Sequence, residues 1–377
     1  MNKITDFIDK INNSDSFGGI LINFLGNSFN IHLGNRYNGQ YNSSDTMYRI
    51  FSLSKAITAV AILILVQNKK LKLNDNIGFG KLKKIKGYEN ITIHDLLNHK
   101  SNIFDAISCI FFEKSTDIYN DIISCCNKYS QNKTKTKTKT KTKDKTKYVN
   151  IDNIIYIINK YKNSNCCAGL KKKFKYNNTN YDLLGYIIKY KTNSLYNFIE
   201  QNIFSPLCMS SSFMALVKNK NMAHPYQSKT NYGIQEFQDE INGNAFILST
   251  LEDYGKFLNS YNKILNKEMI DIFHKLYFFR RINGELIFYH TGSGDFPTYG
   301  KYKPLSKSCA IFNTKTKDML IASQNFEGPK NPILFQELSL KNNKDDYMNL
   351  FNQNKMKYIY DKTIFGEITN IMFPGLI

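Results

Sequence analysis

Hydrophobic and polar positions change period several times along the chain, and each change predicts an element. Gly19–Leu25 (GILINFL) and Ser28–Leu33 (SFNIHL) are short apolar-rich runs divided by Gly26-Asn27, the pattern of a β-hairpin. A polar stretch, Asn35–Thr46, leads into a helix beginning near Ser52. Its body, Ala56–Val66 (AITAVAILILV), is apolar on nearly every face. That run falls far short of the roughly 20 residues that span a bilayer, so it predicts a core helix. Ile91–His99 (ITIHDLLNH) reads as a capped helix, with Thr92 before the apolar period and Asp95 three residues on. Residues 104–127 are helical by pattern, and further helices are predicted near Val149–Tyr161, over Tyr181–Lys191 and over Leu195–Ile203. Beyond about residue 230 the character changes. A helix over Leu251–Leu265 is followed by strands at Leu286–Thr291 (LIFYHT), Ser308–Asn313 (SCAIFN) and Met319–Gln324 (MLIASQ), the last two joined by a turn at Thr314–Lys317.

Strands at both ends of the chain and helices between them predict an α+β architecture. One antiparallel sheet is built from both chain ends with flanking helices, and an all-helical lobe is inserted. The expected division is an α/β lobe from 1–70 and 230–340 and a helical lobe from 71–229. The helical lobe carries a low-complexity Lys-Thr loop at 131–148. A helix is possible at 331–340, and the tail 341–377 matches no expected element.

Charge and cysteine usage narrow the partners. The formal net charge is +20, and Lys133–Lys147, with eight lysines and one aspartate, supplies +7 of it. Such a repeat cannot bury apolar surface and predicts a solvated loop. It has neither stacking aromatics nor arginine forks, so nucleic acid is expected only as a weak electrostatic partner. The seven cysteines include the vicinal pairs Cys125–Cys126 and Cys166–Cys167, with Cys109, Cys208 and Cys309 alone, and no CxxC. An odd number without a secretion signal in MNKITDFIDKINNSDSF predicts reduced thiols in a cytoplasmic protein. His94 and His99 are five apart, which fits neither metal spacing on a helix nor a triad, and His32, His224 and His274 stand alone. No metal and no cofactor is expected.

The candidate chemistry begins at IFSLSK, residues 50–55. Serine and lysine three apart on a helix share a face, so Lys55 can reach the Ser52 hydroxyl. A lysine desolvated by a buried helix can lose its proton and act as the base that a serine nucleophile needs. Ser54 points elsewhere. The bare motif has little value, because SxxK occurs also at Ser130/Lys133 and Ser260/Lys263. Its usual companion, Tyr-x-Asn, starts at Tyr88, Tyr148, Tyr161, Tyr176 and Tyr347.

Context decides among them. MYRIFSLSKAITAVAILILVQNKKLKLNDNI resembles the active-site helix of the serine β-lactamase and penicillin-binding superfamily, particularly its class C and esterase-like branch. ITIHDLLNHKSNI is similar to the family's "ITIRHLLTHTSGL". FKYNNTNYDLLGYIIKYKTNSLYNFIEQNIFSPLCMSSS is similar to the block that begins "F-x-YSN" and ends "PLGM", which selects Tyr176 and Asn178. FYHTGSGDF supplies the third element, with His290-Thr291-Gly292 as the one such triplet in the chain. The motifs follow the family's order over roughly residues 17–328, except for the Lys-Thr insert.

The resemblance implies a two-lobed β-lactamase/transpeptidase-like fold and a serine hydrolase that works through an acyl-enzyme. Ser52 attacks an ester or amide carbonyl, and Lys55 and Tyr176 share the proton traffic, either being the base. Asn178 holds the substrate amide. The third motif lies on an edge strand, where Gly292 admits substrate backbone and the main-chain N–H groups of Ser52 and Ser293 form an oxyanion hole. His290 and Thr291 meet the leaving group or a substrate carboxylate. The implied partner is a small ester, amide or lactam, with lactam and D-peptide both possible.

Four positions depart from the family pattern. Histidine stands at 290 where β-lactamases carry lysine, which weakens fixed-charge recognition of a carboxylate and favours the esterase and D-aminopeptidase branches. Asn102 replaces the glycine of "TSG", though asparagine tolerates left-handed backbone. Cys208 replaces the glycine of "PLGM" and is expected as a small buried hydrophobe. NGNAFILSTLEDYGKF lacks the family's double glycine. The lost glycines also motivate an alternative, a catalytically inactive fold kept for binding or structure.

Overall fold

A strand that buries both faces needs neighbours along its edges and layers above and below, and the two ends of the chain meet that need together. The computed structural model describes residues 15–106, 151–162, 173–214, 221–224, 243–245, 247–295, 305–326 and 364–376, with the isolated positions 9 and 13. The Lys-Thr loop at 131–148, most of the helix expected over 104–127, the possible helix at 331–340 and five of the cysteines lie outside the described residues. By contact the chain divides into two compact units. One comprises Met1–Ala56, Ile203–Ile234 and Ala245–Ile377, the other Ile57–Asn202 and Gln235–Asn244.

The first unit holds eleven described strands: β1 (Phe17–Phe24), β2 (Asn27–Leu33), β3 (Asn35–Tyr37), β4 (Gln40–Tyr41), β5 (Tyr48–Arg49), β6 (Ser212–Met214), β7 (Ile247–Ser249), β8 (Phe279–Ile282), β9 (Glu285–Asp295), β10 (Leu305–Asn313) and β11 (Met319–Phe326). Six form one antiparallel sheet in the order β2-β1-β11-β10-β9-β8. The β1–β2 hairpin turns on Leu25-Gly26, both at positive φ (49° and 79°), one residue earlier than the sequence predicts. A two-residue turn of this kind needs positive φ at both positions, and Leu25 meets it while 75% exposed. β5, β7 and β6 make a separate three-stranded sheet that leads into Ser52.

Alternation along the strands gives the large sheet two buried faces. Ile20 and Ile22 of β1 join Ile287, Tyr289, Cys309, Ile311, Leu320 and Ala322 in one cluster. The chain's last described helix closes that cluster with Ile368, Met372, Phe373 and Leu376. On the opposite face lie Leu21 and Ile321, against the helix Leu251–Ser260. There Gly255 permits the approach, since a Cβ on it would stand 3.0 Å from Met319 Sδ and 3.2 Å from Leu21 Cδ2.

In chain order the described α-helices are α1 (Ser54–Gln67), α2 (Ile93–Leu97), α3 (Ile151–Tyr161), α4 (Asn178–Thr192), α5 (Leu195–Ile199), α6 (Leu251–Ser260), α7 (Lys267–Phe273) and α8 (Ile364–Met372). The boundary between units falls after Ala56, within α1. Regular structure among the described residues of the second unit is helical apart from one bridge, Asn76 with Thr92. The capping box expected at Thr92 is formed: Asp95 N–H donates to Thr92 Oγ1 and Thr92 N–H to Asp95 Oδ2. No helix among the described residues is long and apolar enough to cross a membrane.

Candidate active site

Ser52 sits where β5 gives way to a helix. The chain passes from Arg49 through Ile50 into a single 3-10 turn, Phe51–Leu53, and then into α1. Phe51 has φ +46°, a left-handed conformation that is rare for a bulky side chain and stores strain beside the serine. Neighbours hold it there. Ile50 N–H donates to Ile247 O (3.1 Å), and its carbonyl accepts from Ser308 Oγ (2.9 Å). The Leu53 carbonyl accepts from Tyr254 Oη (3.1 Å), and Ser54 Oγ from Ile247 N–H (3.2 Å). Ser54 is thereby used up as a structural hydroxyl.

Lys55 follows on the first turn of α1, fully buried at 0% exposure, and its Nζ lies 2.8 Å from Ser52 Oγ. Ser52 itself is half-buried. The pair expected from spacing alone is therefore in hydrogen-bond contact. The strand β9 runs alongside, in the same unit. A Cβ on Gly292 would stand 2.6 Å from Ile50 O, 2.7 Å from Ser308 Oγ and 2.9 Å from Phe51 Cβ. The family resemblance implies that this bareness admits substrate backbone. In the structure the space beside Gly292 is taken by the serine turn itself.

His290 on β9 is 2% exposed, edge-on to Tyr277 (5.5 Å) and Phe278 (5.2 Å). Burial holds its imidazole well below the usual histidine range, and the positive charges of Lys55 and Arg280 add to that; a main-chain hydrogen bond with Ser52 works the other way. The ring is neutral at physiological pH. Thr291 is half-buried and Gly292 buried, and Ser293 pairs with Lys307 of β10. β8 pairs with β9 from Glu285 to Phe288, so the third motif occupies the stretch of β9 beyond its outer partner.

Tyr176 and Asn178 belong to the second unit. Both are half-buried, at the entry to α4. Asn177 is the N-cap, its side chain accepting from Asn180 N–H (3.3 Å) and donating to Ile103 O (2.5 Å). The Asp105 carboxylate accepts from Asn178 N–H (3.1 Å), Thr179 N–H (3.2 Å) and Thr179 Oγ1 (3.0 Å), placing negative charge at the positive end of the helix. His99, set aside by spacing rules, is buried here against the Tyr176 ring, centroids 4.5 Å apart. Asp105 lies outside the motifs, whereas His99 falls on the histidine of the "ITIRHLLTHTSGL" segment, the signal that could have singled it out.

Two departures resolve at the backbone. Asn102 and Cys208 both have φ +54°, so the left-handed turns survive the loss of glycine. The expectation that Cys208 is buried is incorrect: it is exposed, because the turn points it outward, with its N–H donating to Ser205 O (3.1 Å). Cys309 is the buried free thiol. Among the described residues no group of three or more His, Cys, Asp or Glu could hold a metal.

Residues 26–108 match the family model described as Beta-lactamase. No curated protein sequence matches the chain. Among solved structures, a penicillin-binding protein from Bacillus halodurans superposes with a TM-score of 0.62 at 17% identity, over 85% of this chain and 95% of that one. The octameric penicillin-binding protein homologue from Pyrococcus abyssi gives 0.62 at 20% identity, over 98% and 79%. D-amino acid amidase from Ochrobactrum anthropi SV3 gives 0.58 at 17% identity, over 94% and 100%. At these identities the likeness is one of fold: a mixed helix and sheet structure with an antiparallel sheet and flanking helices. The chain thus carries a match to the β-lactamase family model over residues 26–108 and shares its fold with penicillin-binding proteins and D-amino acid amidases.

Proposed function

We propose that the chain is a serine hydrolase that cleaves an ester or amide through an acyl-enzyme on Ser52. The observation that carries this reading is the buried Lys55 Nζ at 2.8 Å from Ser52 Oγ. A side chain in hydrogen-bond contact with a serine hydroxyl can take its proton as the oxygen attacks. Ser52 Oγ bonds to the carbonyl carbon while its proton passes to the Lys55 amine, which reacts in its deprotonated form. The oxyanion collapses, the bond to the leaving alcohol or amine breaks, and the leaving group departs with the proton. Water then hydrolyses the ester and restores Ser52. Tyr176 and Asn178 enter from the sequence resemblance, as a second proton-transfer group and a partner for the substrate amide. The main-chain N–H groups of Ser52 and Ser293 are proposed as oxyanion donors.

His290 bears on substrate choice. A neutral, buried imidazole can exchange hydrogen bonds with Thr291's neighbours or a leaving group but supplies no fixed charge for a carboxylate. Esters and amides without a carboxylate near the scissile bond are the proposed class. A D-amino acid amidase among the structures of similar fold is consistent with amides. Of the glycine replacements that motivate an inactive, binding-only protein, Asn102 and Cys208 keep a left-handed backbone (φ +54°), which favours the hydrolase reading at those two positions.

Intact-mass measurement of the purified protein with fluorophosphonate, small esters, amino acid amides and penicillins tests the proposal. A covalent adduct is expected with the fluorophosphonate and the uncharged esters, absent in Ser52→Ala, and faster than with penicillins. Wild-type protein without any adduct, or Ser52→Ala that labels as well as wild type, would overturn it.

A further inference from the structure

We infer that His99 is the positioning residue for the segment that carries Tyr176, setting by its ring and its Nδ1 lone pair where the phenol stands. The catalytic part of this inference rests on the reading of Tyr176 given above; the structural part stands on its own. α2 ends at Leu97, and the chain then turns with His99 at φ +53°, 1% exposed. From there His99 meets three consecutive residues of a segment about 77 positions away. Its carbonyl accepts from Lys175 N–H (2.9 Å), its ring lies against Tyr176 at a tilt of 37°, and its Nδ1 accepts from Asn177 N–H (3.1 Å). Asn180 Nδ2 approaches the same nitrogen at 3.3 Å, with Phe174 edge-on at 5.8 Å and Tyr181 at 5.2 Å.

The chemistry follows from which group can donate. A backbone N–H only donates, so Nδ1 must present its lone pair to Asn177, and the ring is then neutral with its proton on Nε2. Main-chain bonds on either side of Tyr176 fix the backbone, and the ring face restricts the phenol. A buried histidine used only as filler would need neither the Nδ1 acceptor nor a specific tautomer. Spacing around residue 99 does not reveal this role, because the partners of its ring arrive from residues 174–181.

Two substitutions separate the functions of the ring. His99→Asn keeps a side-chain acceptor near the Asn177 amide and removes the ring, while His99→Phe keeps a ring and removes the acceptor. Hydrogen exchange of the full-length protein should show protection over 174–180 falling at least roughly tenfold in His99→Phe, and less in His99→Asn, with the rest of the second unit unchanged. Acylation of Ser52, counted per titrated active site, should slow by about 10- to 100-fold in His99→Phe with little change in KM, and His99→Asn should recover part of it. Wild-type exchange over 174–180 in both variants overturns the inference, as does protection lost evenly across the second unit. Normal acylation in both, alongside a slowed Tyr176→Phe, also overturns it. A wild-type protein that never acylates sinks the hydrolase reading instead, and the exchange measurement then judges His99 alone.

Discussion

Cys208 and Phe51 hold the same kind of backbone for opposite ends. Both lie in the left-handed region, where a side chain crowds its own carbonyl at a cost of about 1–2 kcal/mol. Phe51 is buried beside Ser52 and held by its neighbours, so its strain is supported by the serine turn. Cys208 is exposed, and the backbone bonds that hold it, from its N–H to Ser205 O and from Lys256 Nζ to its carbonyl, are ones a glycine would keep. Glycine there would remove the crowding but lose roughly 0.5–1 kcal/mol in chain entropy. Cys208→Gly is therefore expected to stabilise the protein by about 0.5 kcal/mol, read as a higher urea midpoint with an unchanged slope. A lower midpoint would show that the thiol makes contacts that offset its strain. At this scale, what the sequence could show was local. Ser52 and Lys55 meet because three residues of helix bring them together, and spacing states that directly. His99 and Asp105 act on residues more than 70 positions away, where spacing is silent.

At the scale of elements, period and turn chemistry located the central strands and most helices, and they failed where a distant partner decides. The hairpin turn sits at Leu25-Gly26 rather than Gly26-Asn27, which pairs Phe24 with Asn27 and Ile20 with Ile31. A turn one residue later would pair Ile20 with Leu33 and leave every side chain on the same face, so the hydrophobic pattern alone does not choose between the two. β8 passed unseen because its alternation is interrupted by Arg280 and Arg281. α8 lies in a tail whose composition is ordinary for this chain, and its partners Ile20 and Ile22 stand some 350 positions earlier. It nevertheless supplies one whole side of a sheet face. Ile368, 0% exposed at the centre of that contact, should cost about 2–5 kcal/mol when changed to alanine. Thermal or urea unfolding measures it, and a cost below roughly 1 kcal/mol would mean that α8 is not integral to the core.

For the whole molecule, the three histidines held below their usual pKa set the direction of acid sensitivity. Burial is the leading cause at His290, His32 and His274. The unfolded chain takes up protons near the ordinary value of 6.5 while the folded chain does not, so stability falls as pH drops below 6.5 and is flat above it. The fully buried His290 should contribute a slope of up to about 1.4 kcal/mol per pH unit, with smaller, solvent-screened additions from His32 and His274. Urea midpoints between pH 5.5 and 8 test this, and a midpoint that stays level below 6.5 would refute it. The placement of β1 between β2 and β11 has a further consequence in time. A ribosome releases β1 and β2 first and β11 about 300 residues later, an interval of roughly 15–60 s at ordinary synthesis rates. Through that interval the hairpin presents an unpaired edge. The turn carrying Ser52 waits as well, since Ile247 and Ser308, which hold it, have yet to be made. Assembly of the sheet, and with it the strained serine turn, thus waits for residues made long after the hairpin itself.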